Sequence, residues 1–136
     1  MDPVDRQSLN EYLLEEREEN LLSEIEKAFL KGDKHRLITK VKAAQRLIRT
    51  RERRITYRLI SAAKREGLSV YGKPLDVFEK ELLEHHKKLY GLLGDMVQDN
   101  EPVDLVVLES LIAQAKKIEE EIIGFVRGLI LELKKN

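Results

Sequence analysis

The 136-residue sequence predicts an all-α protein, a bundle of about four long helices joined by short loops and built to oligomerise. Three observations carry the prediction. Apolar residues recur at steps of three and four along most of the chain, and no stretch alternates as a half-buried strand would. Gly occurs 7 times and Pro 3 times, so few positions interrupt helical phasing. Charged residues make up 37% of the chain, against roughly a quarter in an ordinary globular protein. That is the composition of helices with ion-pair-rich surfaces, and it suits a thermophile.

The first predicted helix runs from about Leu9 to Leu30. Ser8 and Glu11 have capping-box spacing, which satisfies two free N–H groups at a helix start. Leu14, Leu21, Leu22, Ile25, Ala28 and Phe29 form its apolar face, and Gly32 ends or kinks it. The second runs from about Lys34 to Lys64, with Leu37, Val41, Ala44, Ile48, Ile55, Leu59 and Ala62 as its stripe. One step of that stripe falls on Arg51 or Glu52. Gly67 suits the position just past its end, and Lys64 and Arg65 suit the dipole of its last turn. Residues 68–74 read as a loop in which Val70 and Tyr71 pack down as a plug.

The third helix is expected from about Leu75 to Val97. Asp76 and Glu79 repeat the capping-box spacing, and Phe78, Leu82, His86, Leu89, Leu93 and Met96 give an unbroken stripe. Residues 98–102 are a linker whose Pro102 fits a first helical turn. The fourth helix is expected from about Val103 to Leu133. Leu108, Leu111, Ala115, Ile118, Ile122, Phe125, Leu129 and Leu133 form a heptad-like seam along it. The chain thus divides into a helical core over 1–97 and a C-terminal amphipathic helix over 98–136, packed on the core or on a partner chain.

Composition also bounds function. The length is that of one domain able to bury roughly two-thirds of its unfolded surface. There is no cysteine, hence no disulfide framework, thiolate metal site or thiol nucleophile. The acidic start MDPVDRQSLNEY is no signal peptide, and no apolar run approaches the ~18 residues of a membrane span. The expectation is a soluble, cytoplasmic protein without a membrane partner.

Catalytic signals are weak throughout. There is no Gly-rich phosphate loop. His85 and His86 have Leu82 and Leu83 three residues before them, so the Glu-x-x-His motif of di-iron bundles is absent. Glu81 and His85, four apart, could share a metal, but the plainer reading is a surface His85 and a half-buried His86. Glu15, Glu16, Glu18 and Glu19 read as a solvated face rather than a catalytic pair. The expectation is a protein that is not an enzyme and takes no cofactor or metal. Gly124 and Gly128, in GFVRG, have small-xxx-small spacing that permits tight packing or a dimer contact.

Net charge is zero but segregated. Residues 1–31 carry net −5, residues 34–65 carry net +11, and residues 66–136 carry net −5, with Asp33 supplying the last −1. The basic segment allows three readings. It is a solvated face paired with acidic helices. It grips nucleic-acid phosphates, with Lys40, Lys42, Arg46 and Arg49 as candidate contacts. Or Arg51, Arg53, Arg54 and Arg58 make buried or half-buried ion pairs that fix how helices or subunits assemble, as the bidentate guanidinium favours. If Arg54 pairs in a low-dielectric site, its loss should be severe.

The order of features resembles the helical domain of GINS replication subunits, over about residues 9–97. EYLLEEREENLLSEIEKAF is similar to the family's L-x-x-x-E run leading to L-x-x-I-x-x-x-F, at Leu14, Glu18, Leu22, Ile25 and Phe29. LIRTRERRITYRLISAAKREG is similar to L-x-x-R-x-x-K-I-x-x-x-A-x-x-x-x-G, at Ile48, Arg51, Arg54, Ile55, Ala62 and Gly67. PLDVFEKELLEHHKKLYGLL resembles the E-x-x-L-(Y/L) helix that follows. Archaeal members usually add a small β-rich domain, whereas residues 101–136 here read as one amphipathic helix. The resemblance implies a non-enzymatic DNA-replication scaffold that assembles as an oligomer and bridges an MCM helicase to a RecJ/Cdc45-type partner. It also implies that Arg51, Arg53 and Arg54 lie at or near helix packing. The residues themselves agree in kind, pointing to a scaffold or adaptor. A small nucleic-acid-binding protein using residues 34–65 is the alternative.

Overall fold

The computed structural model describes residues 21–70 and 72–135. The Ser8–Glu11 capping box, the acids at 15–19 and Tyr71 fall outside them. Within the described residues the chain is an all-α bundle, with one very short hairpin.

Helix α1 (Leu21–Lys31) turns into α2 (Lys34–Arg54) through two residues. Gly32 takes φ +67, and its N–H meets the Phe29 carbonyl at 3.1 Å while the Asp33 N–H meets that of Ala28 at 3.0 Å. These two bonds close the end of α1, and the left-handed backbone they require is cheap only for glycine. Asp33 then caps α2 by accepting from the Arg36 N–H at 3.1 Å.

The long second helix expected over 34–64 is not uniform. After α2, Ile55–Ile60 is wound as a π-helix, and Ser61–Arg65 (α3) returns to α geometry. The wider turn shifts the phase of the side chains, so that Ile55, Leu59, Ile60, Ala62 and Ala63 are all buried. Gly67 (φ +65) closes α3 in the same manner as Gly32 closes α1, with Leu68 N–H on the Ala63 carbonyl at 3.0 Å. Val70 is fully buried and pairs its backbone with Lys73, so the expected plug is present at that residue.

Helix α4 (Leu75–Asp95) begins after Pro74. Asp76 is not its cap: it lies inside the first turn, highly exposed, with its carboxylate 3.5 Å from Lys64 Nζ. The expected linker at 98–102 is a hairpin, with β1 (Val97–Gln98) antiparallel to β2 (Glu101–Pro102). Its loop residues Asp99 and Asn100 have φ 52 and 59, the left-handed pair that matches strand twist. Strands of two residues are too short to show alternation, and Pro102 sits in one of them rather than in a helix. Helix α5 (Leu105–Lys135) starts two residues later than expected because Asp104 caps it, accepting from the Val106 N–H at 2.9 Å.

α5 packs mainly on α4, and α2 packs on both α1 and α4. The core gathers Leu22, Ile25, Leu37, Val41, Ile48, Phe78, Leu82, Leu89, Ile122 and Leu129. Phe78 meets Phe125 edge to face at 5.6 Å between centroids. No described helix is long and apolar enough to cross a membrane.

Candidate functional site

The buried stripe of α2 is interrupted where the sequence places Arg51 between Ile48 and Ile55. That guanidinium lies among three helices. Its Nη1 and Nη2 donate to the two oxygens of Glu119 on α5, at 2.5 and 3.3 Å. Its Nε donates to Nε2 of His86 on α4, at 3.4 Å. The Nδ1–H of His86 donates to the Leu82 carbonyl at 2.9 Å, which leaves Nε2 as the acceptor that Arg51 needs. His86 is fully buried and Glu119 is 8% exposed.

Burial pushes the His86 imidazole down to about 4, the Arg51 charge adds to this, and the Leu82 bond opposes it. The ring is therefore neutral at neutral pH. Both its nitrogens are occupied and the carboxylate is claimed by the arginine. This arrangement fits helix assembly better than proton transfer or metal binding.

The neighbouring histidine differs. His85 is partly buried rather than on the surface, with its ring 5.2 Å from that of Phe125. Its nitrogens face the Glu81 carbonyl at 2.6 Å and the Glu121 carboxylate at 2.8 Å. The Glu81 carboxylate turns instead to Lys73 Nζ, 3.0 Å away, so the Glu81–His85 pair does not converge. Among the described residues, no group of three or more His, Cys, Asp or Glu side chains is placed to hold a metal ion.

The other basic residues of 34–65 stay at the surface, except for the half-buried Lys40. Arg53, Arg54 and Arg58 are exposed, so the buried pairing expected of the arginine group belongs to Arg51 within it. Lys34 pairs with Glu101, Arg36 with Glu24 at 3.3 Å, and Lys64 with Glu79 at 2.7 Å. Lys42 Nζ donates to Asn100 Oδ1 at 2.9 Å, and Arg49 lies 4.4 Å over the Tyr90 ring. Lys40 is half-buried and Arg46 exposed. Gly128 is buried in the core, whereas Gly124 is exposed, and a Cβ added to it would meet nothing within 4 Å.

Glu119 and Tyr90 are not among the residues that the sequence marks out as candidates. Glu119 did carry a signal: it stands four residues after Ala115 and three before Ile122, on the apolar side of α5.

One end of the bundle is apolar at its surface. The first turn of α5 exposes Leu105, Val106 and Val107 at 69%, 77% and 50%. Beside it a groove of about 270 Å³ runs between α1, the hairpin and α5, lined by Ala28, Phe29, Leu37, Val103 and Leu108 among others.

Comparison of the chain with protein-family models, with curated proteins and with solved structures gave no match.

Proposed function

We propose that this chain is a non-enzymatic helical adaptor that works as an oligomer, closed through the apolar end of the bundle. The observation that carries the proposal is the run Leu105–Val106–Val107, three consecutive exposed apolar side chains beside a largely apolar groove that also carries Asp33 and the Lys34–Glu101 ion pair. Exposed clusters of this kind mark surfaces covered in an assembly. The seam of α5 does not supply the contact, because Leu108, Ala115, Ile118, Ile122, Leu129 and Leu133 are buried within the chain. Support for a non-enzymatic role comes from Arg51, His86 and Glu119, whose polar atoms serve one another. The likeness of residues 9–97 to the helical domain of GINS subunits extends the proposal to a cytoplasmic DNA-replication scaffold, with an MCM helicase and a RecJ/Cdc45-type protein as partners.

Size-exclusion chromatography with multi-angle light scattering, at low and high salt, tests it. A defined oligomer that persists at high salt is expected, since apolar contacts are not screened. Val106→Asp should dissociate it without unfolding the chain. A monomer at both salts, or an oligomer indifferent to Val106→Asp, overturns the proposal.

A further inference from the structure

α2 carries a second stripe of a different character. Lys42, Arg46, Arg49 and Arg53 follow one another at steps of four, three and four, and all are exposed on one face of the helix. Tyr57, four residues further on, is 74% exposed. The stripe lies on the flank of α2 beside α4, as the contacts of Gln45 with the Tyr90 carbonyl and of Arg49 with the Tyr90 ring show.

Most cations of 34–65 outside this stripe have a use. Lys34, Arg36 and Lys64 face carboxylates, Arg51 holds the buried cluster, and Arg54 and Arg65 have interactions of their own. Among the described residues, Arg46 and Arg53 meet no carboxylate, while Lys42 touches only an amide oxygen and Arg49 an aromatic face. Glu52 is the only acid on α2, and it is half-buried. Among the described residues, the face is therefore a row of positive charge that no carboxylate neutralises.

We infer that the Lys42–Arg46–Arg49–Arg53 stripe binds the phosphate backbone of a nucleic acid without reading its bases. The eleven steps from Lys42 to Arg53 span about 16 Å of helix. A nucleic-acid strand carries about one phosphate per 3.4 Å of axis, so roughly five phosphates lie along the same length. The charge density of the stripe thus matches that of the strand. The composition of the face favours phosphate over an acidic protein surface. Beside the cations the face carries Thr39, Gln45 and Thr50, and Tyr57 is its one large exposed aromatic, so it offers little of the apolar area a protein interface centres on. Guanidinium groups, three of the four cations here, bond phosphate oxygens in pairs. A single exposed tyrosine is too little to stack a series of bases.

Fluorescence anisotropy with labelled single-stranded and duplex oligonucleotides, on the full chain across a salt series, tests the inference. Log affinity should fall linearly with log salt, with a slope of about −3.6 on duplex and about −2.8 on single strands for four contacts. Arg46→Ala, Arg49→Ala and Arg53→Ala combined should weaken binding about tenfold or more at low salt and reduce the slope by about 2.7 on duplex and about 2.1 on single strands. A control pair on α5, Lys116→Ala and Lys117→Ala, should leave both unchanged. A thermal melt of the triple variant establishes that it is folded. Failure to bind either oligonucleotide at low salt, or equal binding by the folded triple variant, overturns the inference. So does displacement by polyglutamate as efficient as displacement by unlabelled oligonucleotide, which would assign the face to an acidic protein.

Discussion

At the scale of single residues, Arg51 and Arg54 stand three positions apart on one helix and should behave oppositely. Arg51→Ala leaves the Glu119 carboxylate buried without its cation and removes the donor to His86 Nε2. Breaking a buried pair in this way costs about 3–5 kcal/mol. Arg54→Ala, at an exposed site, should cost at most about 1 kcal/mol. Urea unfolding of the two variants decides the matter, and equal small losses would mean that the cluster contributes nothing. The sequence made the anomaly visible: several arginines crowd a buried stripe. The stripe's step at Arg51 or Glu52 already favours Arg51 over Arg54 as the inward residue. What the local pattern does not carry is the partner, Glu119, 68 residues away.

At the scale of elements, a glycine past a helix end and a glycine inside a helix make a contrast. Gly67 has φ +65 and open space around it, so Gly67→Ala meets no clash and suffers only the left-handed backbone, about 1–2 kcal/mol. Gly124 is an exposed helical position with equally open space, so Gly124→Ala should stabilise the chain by about 0.5–1 kcal/mol. Thermal melts of both variants check these signs. A loss at Gly124 would instead point to a close neighbour there, as its small-xxx-small spacing first suggested. The long helices and the closures at Gly32 and Gly67 were legible because periodicity and glycine position are local signals. The π-helical turn at Ile55–Ile60 was not, because nothing in the local sequence ITYRLI departs from an α-helical pattern. The Asp99–Asn100 hairpin was missed because two-residue strands leave no periodic trace.

At the scale of the molecule, one proton should be felt by three helices. His86 titrates at about 4 in the folded chain against 6.5 ordinarily, because burial disfavours its charged form. The unfolded chain therefore takes up this proton first as pH falls. Stability from this group is fully present above pH 6.5 and is lost progressively down to pH 4, a total of about 3 kcal/mol. His86→Gln can keep a donor and an acceptor but does not titrate. Its unfolding midpoint should lack this fall, so that the gap between native chain and variant narrows with acid. Parallel slopes for the two would remove His86 as the cause. The all-α architecture was readable from the sequence because the stripes of the four helices are each nearly continuous. Which charges are buried was not, because burial is a property of how stripes face one another.

The polar cluster has a bearing on alignment. Apolar seams repeat every three or four residues, so one helix can slide past another by a turn, about 5.4 Å, and find much the same greasy surface. Slid that way, α5 would offer Arg51 an alanine or isoleucine (Ala115 or Ile122) in place of Glu119. The cation at the centre of the bundle then acts as a vernier mark: it has little to gain in depth of the energy well and much to gain in there being only one well. A chain carrying Arg51→Met, His86→Leu and Glu119→Leu together should remain folded, yet its helices should no longer agree on a single stagger.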